Sequence, residues 1–155
     1  MGVEIERKFL VDHAQWNQLS KPKGMVIRQG YMLKADDKTI RIRVKDDQSY
    51  ITIKGKTQGI SRSEYEYAIP LKEGNELLAA FCAAVIDKTR YNITFAGKLW
   101  EVDVFEGDNA GLIVAEIELE SEDEMFDLPE WITKEVTDDA RYFNSNLSVN
   151  PYKNW

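Results

Sequence analysis

From Val3 to Val11 the chain reads VEIERKFLV, with Val3, Ile5 and Phe9 at odd positions and Glu4, Glu6 and Lys8 at even ones. Successive side chains of a strand point to opposite faces, so this segment predicts a strand with one apolar and one charged face. Seven further segments repeat the pattern between turn residues. Met25 to Leu33 is the weakest. Thr39 to Lys45 sets Ile40, Ile42 and Val44 against Arg41, Arg43 and Lys45, and Ser49 to Gly55 sets Ile51 and Ile53 against Thr52 and Lys54; a short DDQ turn joins them as a hairpin. Ser61 to Ile69 opposes Tyr65, Tyr67 and Ile69 to Arg62, Glu64 and Glu66. Asp87 to Phe95 opposes Tyr91, Ile93 and Phe95 to Lys88, Arg90, Asn92 and Thr94. Leu99 to Phe105 places Trp100, Val102 and Val104 against Glu101 and Asp103, and Leu112 to Glu120 places Ala115, Ile117 and Leu119 against Glu116, Glu118 and Glu120.

Between the fifth and sixth strands, Gly74 to Ile86 carries Leu77, Leu78, Phe81, Val85 and Ile86 at helical spacing, which predicts an amphipathic helix. Asp12 is placed to cap a helix through Leu19, Ser121 to start another, and Asp138 to Leu147 to form a third. The C-terminal helix is expected to plug one end of the assembly. Tyr31, Tyr65, Tyr67 and Trp100 read as packing between strands and helices.

Taken singly, each strand reads as part of a sheet whose charged face looks into water. Taken together, eight such strands offer the helices only one apolar surface to cover, and a sheet of that size can close on itself and lose its edges. The predicted fold is α+β: a closed eight-stranded antiparallel β-barrel, a tunnel with a charged lumen, flanked by helices on the outside. One domain, 1–155, is expected from the length of 155 residues. Such a lumen cannot be dry, because each unpaired buried ion costs several kcal/mol against a net stability of about 5–15 kcal/mol. Its cations are Lys8, Arg41, Arg43, Lys54, Lys88 and Arg90; its anions are Glu4, Glu6, Glu64, Glu66, Asp103, Glu116 and Glu118. A polyphosphate with a divalent metal answers both sets, since guanidinium and ammonium groups bind phosphoryl oxygens and carboxylates hold a hard cation.

Composition narrows the alternatives. A net charge of −7 argues against a nucleic-acid partner. Met1 to Leu10 has no apolar run after basic residues and the sequence has no long apolar stretch, so a cytoplasmic protein with no membrane partner is expected. The one cysteine, Cys82, sits among apolar residues and reads as an inert thiol, and the one histidine, His13, as an exposed helix residue. Lys54 to Thr57, KGKT, ends like a P-loop, but Tyr50 stands where that motif needs glycine.

The residues in this order resemble those of a known family. EIERK, as Glu-x-Glu-x-Lys, RIR (Arg41, Arg43), Lys54, EYE (Glu64, Glu66), KTR (Lys88, Arg90), Asp103 and EIE (Glu116, Glu118) look like the paired motifs of the CYTH superfamily, the triphosphate tunnel metalloenzymes. The ending KEVTDDARYFNSNLS resembles its small bacterial members. The resemblance covers nearly the whole chain. It implies an enzyme dependent on Mg2+ or Mn2+ that hydrolyses inorganic tripolyphosphate, with nucleoside triphosphates as less selective substrates. Carried over by position, Glu4, Glu6, Glu116 and Glu118 would ligate metal with Asp103 assisting, while Arg41, Arg43, Lys54, Lys88, Arg90 and Lys8 would hold the triphosphate. Lys8, Lys88 and Glu6 would take part in the chemistry; Glu64 and Glu66 would either bind metal or, the preferred reading, pair with neighbouring Arg and Lys in support of the site. Class IV adenylyl cyclase and thiamine triphosphatase activities of the same superfamily stay open, as does a non-catalytic, metal-dependent polyphosphate-binding module. A homodimer is a further expectation from small members of this kind.

Overall fold

The computed structural model describes residues 2–155. All eight predicted strands form: β1 (Gly2–Val11), β2 (Met25–Lys34), β3 (Lys38–Lys45), β4 (Gln48–Gly55), β5 (Ser61–Ile69), β6 (Val85–Phe95), β7 (Lys98–Phe105) and β8 (Ile113–Glu118). They pair antiparallel in the order β5-β4-β3-β2-β6-β7-β8-β1, and Gly2 to Ile5 of β1 pair with Glu64 to Ser61 of β5. The ring is therefore closed. Tight turns support the register: Ala96 and Gly97, both at positive φ (49° and 77°), join β6 to β7 in the manner of a two-residue hairpin.

A ninth strand, β9 (Ile132–Glu135), was not predicted. It pairs with the second half of β1, at Phe9 and Val11, where β5 no longer reaches. Four residues are too few for alternation to show in a sequence, and the strand is fixed by tertiary contacts such as the fork of Arg7 on Glu135, at 2.8 and 2.6 Å.

The helices depart further from expectation. α1 (His13–Gln18) is capped by Asp12, whose carboxylate accepts from the Gln15 amide at 2.8 Å. α2 (Leu71–Phe81) begins after Pro70 and ends before Val85 and Ile86, which the pattern had placed in the helix. Those two residues open β6 and pair with Gly30 and Gln29, so the sheet ladder wins over helical spacing. No helix starts at Ser121; the segment is turns. The C-terminal helix splits into a 3-10 turn (Ala140–Tyr142) and α3 (Asn144–Leu147), separated by the extended backbone of Phe143.

Outside the barrel, odd-numbered residues of β1 and β8 join Trp16 of α1, Trp100 and Trp131 in one apolar cluster, and Leu78 of α2 packs with Ile42 and Val44 in another. Tyr65 and Tyr67 do not pack under helices: they are 37% and 55% exposed, because no helix covers β5. Inside, the lumen face changes character along its length. Past Lys8 comes Leu10, beyond Lys88 lies Ile86, beyond Asp103 lies Phe105, and beyond Glu116 lies Val114. These apolar residues pack with Val136, Tyr142 and Leu147 of the C-terminal segment. That segment plugs one end of the lumen and leaves the charged half as a cup.

α2 approaches the barrel at Gly74, where an added Cβ would lie 1.7 Å from Ser49 Oγ and 2.7 Å from its Cβ. Gly74→Ala should therefore destabilise the fold by about 1–3 kcal/mol. Pairing it with Ser49→Gly should recover most of that loss in a denaturant titration, and equal stability of Gly74→Ala and the natural protein would show that the helix has room to shift.

Candidate active site

Register places the charges. Around the ring Lys54 lies opposite Glu64, Arg90 opposite Asp103, Glu101 opposite Glu116, Lys8 opposite Glu116, Glu6 opposite Glu118 and Glu4 opposite Arg62. Because each member sits on the inward face of its strand, the ladder converges these side chains on one cavity of about 200 Å³. Of the predicted site residues, Glu4, Glu6, Lys8, Arg41, Arg43, Lys54, Glu64, Glu66, Lys88, Arg90, Glu116 and Glu118 all line that cavity. Asp103 lies behind its wall, fully buried.

Most of these ions are already paired. Both Asp103 oxygens are held: Arg90 grips them at 2.7 and 2.9 Å, and Lys88 Nζ stands 2.7 Å from Oδ2. Arg90 also reaches Glu101 at 3.0 Å. Burial alone would raise the Asp103 carboxyl, but Arg90 and Lys88 hold it below the ordinary carboxylate range. On the opposite wall, Glu4 accepts from Lys54 at 3.0 and 3.1 Å and from Arg62 at 3.0 Å. Against the cost of burial, Lys54 and then Arg62 keep the Glu4 carboxyl low. Glu66 supports Arg41 through Thr52, whose hydroxyl accepts from Arg41 at 3.2 Å and donates to Glu66 at 2.9 Å. Arg41 Nε is buried without a partner among the described residues.

Two regions stay unbalanced, with opposite sign. Arg43 has a neutral partner, the Gln29 side chain at 2.9 Å, and no carboxylate within ion-pair distance among the described residues. Burial, then the like charges of Arg41 and Arg90, push it down to about 9. Burial also lowers Lys88, to about 7, with Arg90 and Arg43 acting against the relief from Asp103. Arg43 is thus the cation of this wall without an anion among the described residues, and Arg41, Lys88 and Arg90 crowd it with like charge. Glu6 shows the reverse: burial, then Glu116 and Glu4, raise it to about 8. Lys8 stands 3.9 Å from both Glu6 and Glu116, too far to satisfy either fully. Here the wall lacks a cation.

A divalent metal fits that second region by donor chemistry. The Glu6 and Glu116 carboxyl groups lie near enough for Glu116 to raise Glu6, and two crowded carboxylates are donors of the kind a hard cation takes. Among the described residues no three acidic or histidine side chains converge as a ready-made metal cage. Glu118, at the exposed end of β8, is raised by burial and by Glu4 and adds a further oxygen donor to the rim.

Several residues of the site escaped the sequence reading. Arg62 and Glu101 share the alternation of their strands and were legible there as charged-face residues. Tyr31, expected under a helix, lines the lumen because β2 turns its odd residues inward, as it also does with Gln29. Phe143, Asn144 and Ser145 arrive from the C-terminal segment with no periodic signal. Lys8 Nζ lies 5.2 Å from the Phe143 ring centroid.

Known proteins place this arrangement. The chain is 52% identical to an inorganic triphosphatase of Acetivibrio thermocellus over 156 residues, covering 100% of this chain and 99% of that protein. It is 37% identical to an inorganic triphosphatase of Nitrosomonas europaea, over 94% of this chain and 97% of the relative. The crystal structure of an inorganic triphosphatase superposes with a TM-score of 0.67 at 34% identity, covering 96% of each chain. The CYTH domain model matches residues 2–148, and this chain belongs to the CYTH domain family.

Proposed function

We infer that this protein is a metal-dependent inorganic triphosphatase that hydrolyses tripolyphosphate inside the barrel. The observation that carries the reading is the pair of opposite imbalances on facing walls: Arg43, pushed down to about 9, beside Arg41, Lys88 and Arg90, and Glu6, raised to about 8, beside Glu116. A triphosphate supplies the missing anion, and a divalent cation the missing positive charge. The names of the two relatives support the same activity.

In this reading Arg41, Arg43, Lys54, Lys88 and Arg90 bind the phosphoryl oxygens, and Asp103 orients Lys88 and Arg90 toward them. Glu6 and Glu116, with Glu4 and Glu118 at their flanks, hold Mg2+ or Mn2+. The bound metal supplies charge neutralisation and a more acidic water for attack at phosphorus. Lys88, at the floor of the cup, stabilises charge developing on the terminal phosphoryl group, and Lys8 contacts the chain beside the acidic wall. Apart from Tyr31 and Phe143 the cavity is lined by polar and charged side chains, which offers little apolar surface for an adenine or thiamine ring. Inorganic tripolyphosphate is therefore the preferred substrate class. Among the described residues no helix is long and apolar enough to cross a membrane.

Incubation with tripolyphosphate, ATP and thiamine triphosphate, each with Mg2+, Mn2+ or chelator, tests the activity. Orthophosphate release from tripolyphosphate that exceeds release from the other two and stops with chelator is expected; cyclic AMP from ATP as the main product would contradict it. Glu6 yields a second prediction. Its folded value lies above the ordinary 4.5, so the folded protein holds an extra proton between pH 4.5 and about 8 and loses stability as pH rises through that window. Glu6→Gln removes this titration. At pH 8 without metal the variant should be more stable by on the order of a few kcal/mol, read by denaturant titration, while losing metal-dependent turnover. A less stable variant under those conditions would show that Glu6 is not a crowded carboxyl.

A further inference from the structure

Two neutral side chains that charge patterning passes over connect Arg43, which has no carboxylate in ion-pair reach among the described residues, to Lys88, which Asp103 also holds. Gln29 on β2 is 0% exposed. Its Oε1 accepts from Arg43 Nε at 2.9 Å, and its Nε2 donates to Asn144 Oδ1 at 3.0 Å. The same Asn144 oxygen accepts from Lys88 Nζ at 3.0 Å. β2 lies between β3 and β6, so Gln29 sits directly opposite Arg43, and Ile27, two residues back, opposite Lys88. Asn144 begins α3, and its own segment is anchored by Leu147 and Tyr142 in the apolar plug.

The donors converge on one oxygen: Arg43 donates to Gln29, Gln29 donates to Asn144 Oδ1, and Lys88 donates to that same oxygen from the other side. Guanidinium and ammonium groups donate and cannot accept, so each end of the chain must present an oxygen. The Gln29 amide meets Arg43 with its oxygen and passes a donor onward, which turns the Asn144 oxygen toward both Gln29 and Lys88. A carboxylate at position 29 would have no proton to pass on. It would also form an ion pair with Arg43 and consume the charge that a phosphoryl oxygen needs, whereas an amide orients the guanidinium and leaves its charge free. Arg90 differs in this respect, being held by Asp103.

We propose that Gln29 and Asn144 are positioning residues: an amide bridge, with its donors converging on the Asn144 oxygen, that holds Arg43 and Lys88 in register for the triphosphate while leaving the charge of Arg43 free, and ties the C-terminal segment to the site. The assignment rests on the triphosphatase reading above for its substrate. Gln29→Glu is close in shape and tests neutrality. With tripolyphosphate and Mg2+ its KM should rise about tenfold or more, while its melting temperature stays level or rises through the new ion pair with Arg43. In an Arg43→Ala background the same substitution should change KM by less than about threefold, because the bridge acts through Arg43. Asn144→Ala, at the half-buried end of the bridge, gives a second test should Gln29→Glu fail to fold; it should lower kcat about tenfold through Lys88 with a smaller change in KM.

The bridge is overturned if folded Gln29→Glu or Asn144→Ala keeps kcat and KM within about twofold of the natural protein, or if the Gln29→Glu effect on KM is undiminished without Arg43. Calorimetry with tripolyphosphate separates the two readings. A protein that binds tripolyphosphate without turnover contradicts the triphosphatase reading, and the bridge is then judged by the same comparisons in Kd. A natural protein that binds no tripolyphosphate overturns both.

Discussion

Closing a barrel puts one face of every strand out of bulk water, and an ion on that face must then find a counter-ion. Here the requirement is met pair by pair, directly across the ladder for Arg90 on Asp103 and past the intervening strand β5 for Lys54 on Glu4. Removing one partner of such a buried pair costs about 3–5 kcal/mol, so the paired ions form a rigid frame. The frame holds Arg43 and Glu6, whose needs the protein does not itself meet. Binding energy is concentrated where pairing fails.

The same lumen face serves two purposes along its length. Where it is charged it forms the cup; where it turns apolar, at Leu10, Ile86, Phe105 and Val114, it seats the C-terminal segment. That segment closes the barrel end and delivers Phe143 and Asn144 to the cavity wall. Packing energy thus supplies side chains that the strands cannot. Stability and function draw on opposite halves of one surface, and on β1 the boundary falls between Lys8 and Leu10.

Much of this was legible in the sequence because strand alternation has a strict period of two. Most inward cations and anions of the cup were named from their parity, Arg62, Glu101 and Lys45 being read only as charged-face residues, and the family motifs fall on the same positions. What stayed hidden depends on distant partners. β9 is four residues held by β1 and Arg7; Val85 and Ile86 fit a helix until the β2 ladder claims them. Tyr31 and Gln29 lie on the strand with the weakest alternation, and Asn144 reaches the site through a turn whose path is set by Leu147 burying itself in the plug. Asp103 was visible as an inward acid, yet its neighbours on both oxygens, Lys88 and Arg90, emerge from register across β6 and β7.

Diffraction from crystals grown with tripolyphosphate and Mn2+, using the anomalous signal of the metal, tests the central claim most directly. The account predicts phosphoryl groups against Arg41, Arg43, Lys88 and Arg90, with manganese between them and the Glu6–Glu116 wall. Phosphate or metal bound outside the lumen, with these side chains unchanged inside it, would contradict the account.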